Sequence, residues 1–375
     1  MCDIDISVIM PTYNTEAYLD QAISSARAND RCALEILCVN DGSTDGSLEI
    51  MRRHEAEDPR VRIIDKENQG YGASMNRGID EARGRYIAIL EPDDYVLPHM
   101  YDKLTEVASA HLWPDMVKTP YWRVWMPGTD KEHLYLCSYA HRIKPEGQRI
   151  TLKDCPRIIQ HHPSIWSAIY RRDFLVEKGI RFMEVPGAGW VDNPFLIDTC
   201  VQAESIVYYD EAYYCYREDL PGSSSAMRNL ELPFERWHNM ADELERLGVT
   251  DDGILQAFYV IGFRYAGALI EAVGLEDQKY VDLIAQMFRR MDPERVTRIE
   301  NLSGGFKKTY FRLASVEPIP FDDKPYLKAL ADEFVYSVKL NGWGFALSRL
   351  AIYGRRFGVE RGITARPTAT KSASI

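Results

Sequence analysis

The stretch Leu34-Glu-Ile-Leu-Cys-Val-Asn-Asp-Gly-Ser-Thr-Asp45 decides the fold of the N-terminal half of the chain. Its first six residues are mostly apolar and predict a buried strand. The polar segment that follows predicts a turn, in which Thr44 or Asp45 can cap a helix over Ser47–Glu57. A buried strand that ends in a carboxylate and passes directly into a helix is typical of the ligand-binding edge of a parallel α/β sheet.

The alternation of strand and helix continues on both sides of this stretch. Three further strands and two further helices are predicted: Ile6–Met10 (stopped by Pro11), Ala17–Ala28, Val61–Ile64, Ala73–Ala82 and Tyr86–Leu90. This spacing predicts the α/β class, with a mostly parallel central sheet and helices on both faces. Because ligands bind beyond the carboxyl ends of such strands, we expect the site at four polar segments. These are residues 11–14, 40–45, 67–70 and 91–94.

The rest of the chain divides by composition. Residues 115–220 mix short elements with many aromatic residues, and Pro221-Gly-Ser-Ser-Ser225 predicts a break. Helical periodicity follows in three segments: Leu230–Leu247, Gly253–Val273 and Tyr280–Met291. We therefore predict a first domain over residues 1–225, a helical region over 226–338 and a basic tail over 339–375 with a disordered end.

Composition excludes several classes of protein. The chain has 375 residues, 46% hydrophobic and 27% charged, which is typical of soluble globular proteins. A net charge of −11 makes nucleic acid a poor partner. Seven cysteines without a CxxC pair favour a reducing cytosol over a disulfide framework or a zinc site. The acidic first residues do not predict a signal peptide, and Arg264 and Glu271 make Ile254–Gly274 a buried helix rather than a bilayer span.

Two of the polar segments could carry chemistry. Asp41-Gly-Ser-Thr-Asp45 can accept hydrogen bonds from a base edge or a ribose, or can simply form a turn and a helix cap. Glu91-Pro-Asp-Asp94 places three carboxylates in four residues, which repel one another unless a cation lies among them. Mg²⁺ commonly binds through one or two carboxylates and substrate phosphates, although an exposed acidic turn has the same sequence. At one sheet edge, the two segments together favour a metal–nucleotide site.

Two common nucleotide-binding classes are disfavoured. Asn68-Gln-Gly-Tyr-Gly72 leads into a helix N-terminus and suits an anion. It lacks the third glycine of a dinucleotide fingerprint, and the chain has no Walker A sequence. A Rossmann dehydrogenase and a P-loop enzyme are therefore poor interpretations.

As a set, these residues resemble the inverting family 2 glycosyltransferases of the GT-A fold. The resemblance covers roughly residues 5–100, and more loosely extends to about residue 220. Its motifs stand in the family's order and spacing: Val8–Asn14, Val39–Asp45, Asn68–Gly70, Asn76–Gly78, Ala82–Gly84 and Glu91–Asp94.

The resemblance implies where the donor binds. Asp41 would contact a uracil-type base. The other residues implied in the nucleotide-sugar pocket are Pro11, Thr12, Tyr13, Glu16, Asn68 and Gly70. Arg77 would approach the donor phosphates or sugar, or would lie on a solvated helix face.

The resemblance also assigns the acidic segment. Glu91 would face the ribose, Asp93 would bind Mn²⁺ or Mg²⁺ on the diphosphate, and Asp94 would support both. Glu91 departs from the family, which usually has the shorter Asp in this place.

An inverting transfer needs a general base that takes the proton of the acceptor hydroxyl. The family places a carboxylate at the start of a helix after the sheet, and Gly189-Trp-Val-Asp-Asn-Pro-Phe195 matches with Asp192. A helix N-terminus would keep Asp192 ionised. The alternative is that Asp192 only caps the helix, with Pro194 in its first turn.

Four further features have a functional and an ordinary interpretation. Arg217 and the loop over residues 221–225 would close over the diphosphate, or would only join two domains. Trp166 and Trp190 would be platforms for acceptor sugars, or core residues. The basic C-terminal region, with seven basic residues and one acid from Lys339 onward, would contact anionic lipid or pack as an ordinary terminal helix.

The expected function follows from the resemblance. The chain would transfer one sugar from a nucleoside-diphosphate sugar, best a UDP-sugar, to a hydroxyl of a glycan or glycolipid in surface polysaccharide or glycolipid synthesis. It would be cytoplasmic, with peripheral contact to the inner face of the cell membrane left open. One alternative is a catalytically silent nucleotide-sugar-binding or scaffold protein. The other is a sugar nucleotidyltransferase, which would need a basic, glycine-rich loop where this chain has Pro11-Thr-Tyr-Asn14.

Overall fold

The computed structural model describes residues 4–218, 220 and 229–360, and side chains as far as residue 347. The chain divides into two compact units, Met1–Ser224 and Ser225–Ile375. The division falls beside the predicted boundary at residue 225. The loop over residues 221–225, predicted to close over a diphosphate, lies outside the described residues.

The first unit is an α/β structure. Its strands are β1 (Ile6–Thr12), β2 (Leu34–Asp41), β3 (Val61–Lys66), β4 (Tyr86–Ile89), β5 (Tyr95–Val96), β6 (Met116–Lys118), β7 (Tyr121–Trp125), β8 (His133–Leu136), β9 (Arg149–Ile150), β10 (Ala168–Arg171), β11 (Ile206–Tyr208) and β12 (Tyr214–Arg217). Its α-helices are α1 (Glu16–Arg27), α2 (Ser47–Glu57), α3 (Tyr71–Glu81), α4 (Met100–Ala110), α5 (Arg172–Glu177) and α6 (Asp192–Gln202).

Eight strands form the central sheet, in the order β3-β2-β1-β4-β10-β6-β11-β9. Only β10 and β9 run against the other strands, so the sheet is mostly parallel as predicted. The chain moves outward from β1 to β3 and then returns to β4 on the other side of β1. Right-handed crossovers in opposite directions put α3 on the opposite face from α1 and α2. The reversal between β1 and β4 is the point at which such sheets bind ligands.

The first strand is longer than the sequence predicts. β1 continues through Pro11 to Thr12, with Pro11 paired with Val39 of β2. The carbonyl of Ile9 accepts the Leu90 N–H, so Ile9 and, by alternation, Pro11 are directed toward β4. β4 has already ended at Ile89, and the missing proline N–H therefore removes no ladder bond.

A second sheet continues from the acidic segment. Its order is β5-β12-β7-β8, and β5 begins directly after Asp94. β12 pairs with β5 and with β7, so that Tyr214 and Arg217 lie in the strand next to the one that follows the acids. This sheet is what brings residues from near the end of the unit to the edge of the central sheet.

The second unit is helical, as predicted. Its helices are α7 (Leu232–Arg246), α8 (Asp252–Val273), α9 (Gln278–Arg289), α10 (Pro293–Thr297), α11 (Gly304–Ala314) and α12 (Lys324–Glu360). Within the described residues, α8 alone is long and apolar enough to cross a membrane, and more than half of it is buried. It packs against α7, α9 and α10, and a buried core helix meets the same criteria of length and composition.

The predicted border between a helical region and a basic tail, which is one of composition, falls within a helix. α12 runs across residues 338 and 339 and continues to Glu360, with a break at Gly342, where φ is 83°. Helical hydrogen bonds form between residues four apart, and basic side chains do not disturb them. The change in composition at residue 339 therefore does not end the helix. The predicted disordered end, from about residue 366, lies outside the described residues.

Candidate active site

The loops after β1 and β2 are joined by two acidic side chains. Asp45 accepts a hydrogen bond from the Glu16 N–H at 3.0 Å, and Glu16 in turn accepts one from the Gly46 N–H at 2.6 Å. Asp45 also accepts a hydrogen bond from the Ser47 N–H at 3.0 Å. It therefore binds the first residue of α2, although the N-cap residue is Gly46. Glu16 therefore helps to hold the walls of the predicted base pocket.

The predicted pocket residues differ in exposure. Pro11 and Thr12 are buried, whereas the side chain of Tyr13 is 50% exposed and can meet a ligand. Asn68 is also exposed, in the loop after β3.

Asp41 binds the loop that follows β3. Its carboxylate accepts hydrogen bonds from the N–H groups of Gln69 and Gly70, both at 2.9 Å, and from the Lys66 ammonium. Asp41 thus orders the loop between β3 and α3. A carboxylate has about four acceptor positions, so one remains for a ligand, and its contact with a nucleotide base stays a prediction.

Two glycines let α3 approach the segment before α6. A Cβ on Gly70, whose φ is +94°, would lie 2.5 Å from the Val185 carbonyl oxygen, and one on Gly72 would lie 2.0 Å from that of Met183. Neither distance is sterically allowed. The residue between them, Tyr71, donates its N–H to the Gly187 carbonyl at 3.0 Å. The start of α3 is therefore docked on the segment that leads to Asp192.

The acidic segment lies at this edge of the sheet. Glu91 and Asp93 are half-buried. Burial raises the pKa of Glu91 to about 8; the Tyr71 hydroxyl, which donates to its Oε1 at 2.7 Å, lowers that pKa, and Asp93 and Asp192 raise it. Burial also raises the pKa of Asp93, while the Arg217 guanidinium lowers it. The Tyr71 contacts with Glu91 and with the Gly187 carbonyl connect the acidic segment to the segment before Asp192.

Asp94 is built into the second sheet. It is 1% exposed and accepts hydrogen bonds from the Tyr214 hydroxyl at 2.9 Å and from the Arg217 N–H at 2.8 Å. Burial raises its pKa well above the ordinary range. These contacts suit a residue that supports Glu91 and Asp93 and does not itself meet a ligand.

Asp192 is the first residue of α6 and is half-buried. Its Oδ1 accepts a hydrogen bond from the Asn193 side chain at 3.2 Å. The predicted effect of the helix N-terminus on the ionisation of Asp192 is opposed by burial. Burial raises the pKa of Asp192, and the opposing hydrogen bonds from Asn193 and from its own backbone N–H do not outweigh it.

Arg217 is less available than the sequence suggests. It is 7% exposed, and its guanidinium donates to the Asp93 carbonyl oxygen and to Gln21. It also lies between the rings of Tyr18 and Tyr95, at 5.3 Å and 4.9 Å from their centroids. Its described contacts hold the acidic segment.

The two tryptophans proposed as sugar platforms lie in different environments. Trp166 is buried and stacks on Tyr214 at 4.1 Å and on Tyr216 at 5.3 Å between ring centroids, which is the core alternative. Trp190 is half-buried, with a φ of 53°, two residues before Asp192. Only Trp190 keeps the position that a platform beside the base requires.

Arg77 lies on an exposed face of α3. Its side chain is 56% exposed and pairs with Glu81 one turn later at 2.8 Å. This is the solvated-face alternative, and a contact with donor phosphates stays a prediction.

Sequence reasoning missed two residues of the site. Tyr71 binds Glu91, and the Tyr214 hydroxyl accepts the Glu91 N–H at 3.1 Å while it binds Asp94. The position of Tyr71, first in a helix after a strand-end loop, was a usable signal. Tyr214 carried none, because only the pairing of β12 brings it to the acids.

The chemistry of the carboxylates fits a divalent cation. Burial raises the pKa values of Glu91, Asp93 and Asp192, and repulsion from Asp93 and Asp192 raises that of Glu91 further. A hard cation with oxygen ligands would relieve that repulsion. Asp93 can supply a ligand from its half-buried carboxylate.

A second group could hold a metal by distance alone, namely Asp30, His99 and Asp102. It lies near the amino end of β2, at the opposite edge of the sheet from Asp41. Asp102 already accepts hydrogen bonds from the N–H groups of Arg31 and Cys32, both at 3.0 Å, and pairs with His99 at 2.8 Å. It is separate from the acids of the candidate active site.

The sheet order and the position of the acidic segment after β4 are those expected of the GT-A fold. The sequence profile described as Glycosyl transferase family 2 matches residues 7–177. An uncharacterized glycosyltransferase of Haemophilus influenzae is 39% identical over 267 residues, which are 70% of this chain and 96% of that protein. The chain belongs to glycosyltransferase family 2.

Another relative matches over a smaller part of the chain, and a solved structure shares its fold. The uncharacterized glycosyltransferase EpsJ of Bacillus subtilis is 31% identical over 223 residues, 57% of this chain and 61% of EpsJ. The chain thus spans about three fifths of that relative's length. The crystal structure of S. aureus TarS 1–349 with UDP-GlcNAc has a TM-score of 0.68 at 21% identity, over 90% of this chain and 91% of that one. At this identity the likeness shows the fold, and the predicted GT-A class is confirmed.

Proposed function

We propose that this glycosyltransferase moves a single sugar from a UDP-sugar to a hydroxyl of a glycan or glycolipid, with inversion and with a divalent metal. The observation that carries the proposal is that Tyr71 joins Glu91, beside Asp93 after β4, to the segment that leads to Asp192 at the start of α6. One carboxylate for the ribose, one for a metal and one for a base are the groups that this reaction needs.

In this proposal Asp93 holds Mn²⁺ or Mg²⁺ with the donor diphosphate, and Asp94 and Arg217 fix the segment that carries it. When bound, the metal supplies Lewis-acid stabilisation of the charge on the departing diphosphate. Glu91 faces the ribose, and Asp41 and Tyr13 lie where the base binds.

Asp192 acts on the acceptor. Its carboxylate takes the proton of the attacking hydroxyl while the oxygen displaces the nucleoside diphosphate from C1 on the opposite face. One in-line displacement inverts the anomeric centre, so an α-linked donor gives a β-linked product. A raised pKa brings Asp192 closer to the operating pH, where a general base works best. Trp190, two residues earlier, is placed to meet the acceptor sugar.

The donor class rests on likeness in fold. TarS, which shares this fold, is the protein crystallised with UDP-GlcNAc, and the exposed ring of Tyr13 suits a planar base. We propose a glycan or glycolipid as the acceptor, in surface polysaccharide or glycolipid synthesis, because the family consists of enzymes that build glycans.

A thermal-shift screen tests the function. Purified protein is heated with UDP-, GDP-, CMP- and dTDP-sugars, each with and without Mn²⁺. We expect UDP-sugars to raise the melting temperature only with metal, because a ligand bound to the folded state stabilises it by about 2.7 kcal/mol at 100 times its Kd. A shift with another nucleotide would correct the donor class. No shift with any nucleotide would support the silent scaffold instead.

We also propose a cytoplasmic location with the basic C-terminal region on the inner face of the cell membrane. The six cysteines of the described residues are all free thiols, which suits a reducing compartment. In α12 the side chains of Trp343 and Leu347 are 66% and 55% exposed, next to a segment rich in basic residues.

Deleting residues 340–375 is expected to reduce binding to vesicles that contain anionic lipid, because each Lys or Arg near such a surface contributes about 1 kcal/mol. Co-sedimentation of the full-length and shortened proteins measures this. Vesicles of neutral phosphatidylcholine are the control, and both proteins should bind them equally weakly. Equal partitioning of the two proteins onto anionic vesicles would reject the membrane contact.

A further inference from the structure

Tyr71 makes contacts in three directions from the first position of α3. Its hydroxyl donates to Glu91 Oε1 at 2.7 Å, its N–H donates to the Gly187 carbonyl at 3.0 Å, and its ring meets Phe182 edge-on at 5.8 Å. Glu91 is thus joined through one residue to the segment that leads to Asp192.

The position of Tyr71 is itself fixed from both sides. Asp41 accepts the N–H groups of Gln69 and Gly70, directly before it, at 2.9 Å. On the other side, Asn76 of α3 exchanges hydrogen bonds with the backbone of Phe182, each at 2.9 Å. The ring therefore has little freedom, and the hydroxyl is presented to Glu91 at a set place.

Glu91 is held at two points by tyrosine hydroxyls. Tyr214 accepts its N–H and Tyr71 donates to one oxygen of its carboxylate. A hydrogen bond to one oxygen leaves the other free for a ligand and limits the rotamers of a flexible side chain. Glutamate loses rotamer freedom when it is ordered, so ordering it before the donor arrives strengthens binding.

We propose that Tyr71 is a positioning residue, whose hydroxyl orders the Glu91 carboxylate for the donor and ties it to the segment that carries Asp192. The inference rests on the proposed function in one respect, that Glu91 meets a nucleotide. The coupling between Tyr71 and Glu91 is a property of the free protein and can be tested without any ligand.

The length of Glu91 is part of the arrangement. Shortening it to Asp would withdraw the carboxylate by about 1.3 Å. The contact would then be near 4 Å, beyond hydrogen-bond range. Glu91→Asp and Tyr71→Phe should thus remove the same interaction from its two ends.

The test is a double-mutant cycle with Tyr71→Phe, Glu91→Asp and the double variant. Isothermal titration measures the affinity for UDP in Mn²⁺, and urea unfolding without ligand measures stability. Tyr86→Phe is the matched control, because its buried hydroxyl donates to the Pro114 carbonyl at 2.6 Å at the amino end of β4. Phenylalanine at position 71 keeps the ring contact and the backbone N–H.

We expect each single variant to bind UDP about tenfold more weakly, and the double variant to bind no more weakly than the singles. Tyr86→Phe should lower stability and leave UDP affinity unchanged. Wild-type affinity in Tyr71→Phe, or a hundredfold loss in the double variant, would overturn the inference. If the wild type binds no nucleotide, the proposed function fails, and with it the role of Glu91 toward a donor. The unfolding cycle still tests the coupling between Tyr71 and Glu91, since additive losses of stability overturn that coupling and non-additive losses support it.

Discussion

Replacing Asp192 with Asn is expected to lower turnover by about 10²–10⁴-fold while UDP affinity changes by less than about threefold. The base is needed only as the acceptor hydroxyl attacks, so its loss acts on the transition state and spares donor binding. Asn keeps the shape of Asp, and its side-chain oxygen can still accept from Asn193, as Asp192 does at 3.2 Å. The measurement is UDP release from the donor that the thermal-shift screen identifies, beside UDP titration.

Asp198→Asn is the matched control for this prediction. Asp198 lies in the same helix as Asp192, and its Oδ1 accepts from Gln202 at 2.5 Å. The same change of charge there should leave turnover close to that of the wild type. Near-normal turnover in Asp192→Asn would show that the base is another residue. Equal losses in both variants would point to damage to α6.

Replacing Asp93 with Ala is expected to abolish the dependence of UDP binding on Mn²⁺ and to weaken that binding by about 100-fold or more. The loss of a residue that only orients a metal ligand costs about 10–100-fold, and a ligand should cost more. The fold should survive, because the Arg217 guanidinium is bonded to the backbone carbonyl of Asp93 and not to its carboxylate.

The melting temperature of the free protein distinguishes a ligand from a structural residue. Burial raises the pKa of Asp93, so its ionised form is unfavourable in the free enzyme, and Ala should leave the melting temperature unchanged or slightly higher. Asp173→Ala, at a side chain that is 65% exposed, is the control for charge. Undiminished manganese-dependent UDP binding in Asp93→Ala would refute its assignment as the ligand.

Much of the site was predictable because its signals are local. Asp41 is the last residue of β2 and Asp93 comes shortly after β4, and the carboxyl ends of parallel strands meet at one edge. The helix over Ser47–Glu57 has the predicted bounds, since its period and its turn lie within one short stretch. Asp192 was placed by its resemblance to a family motif.

Other features depended on contacts between distant segments. Tyr214 and Arg217 reach the acids only because β12 pairs with β5 and β7. The same pairing buries Trp166 against Tyr214, which decides between platform and core. β1 passes through Pro11 because β4 ends opposite Ile9, a matter of register that local propensity does not contain.

The class of the fold and the family could be predicted from the sequence, and carboxylates for a candidate site could be named, because strand period, strand-end residues and motif spacing are local features of the chain. The environment of those carboxylates depends on the folded structure. The pKa of Asp192 is raised because burial outweighs its hydrogen bonds from Asn193 and from its own backbone N–H. Glu91 is held by Tyr71 and Tyr214 from opposite ends of the unit. Desolvation and long-range hydrogen bonds exist only once the chain has folded.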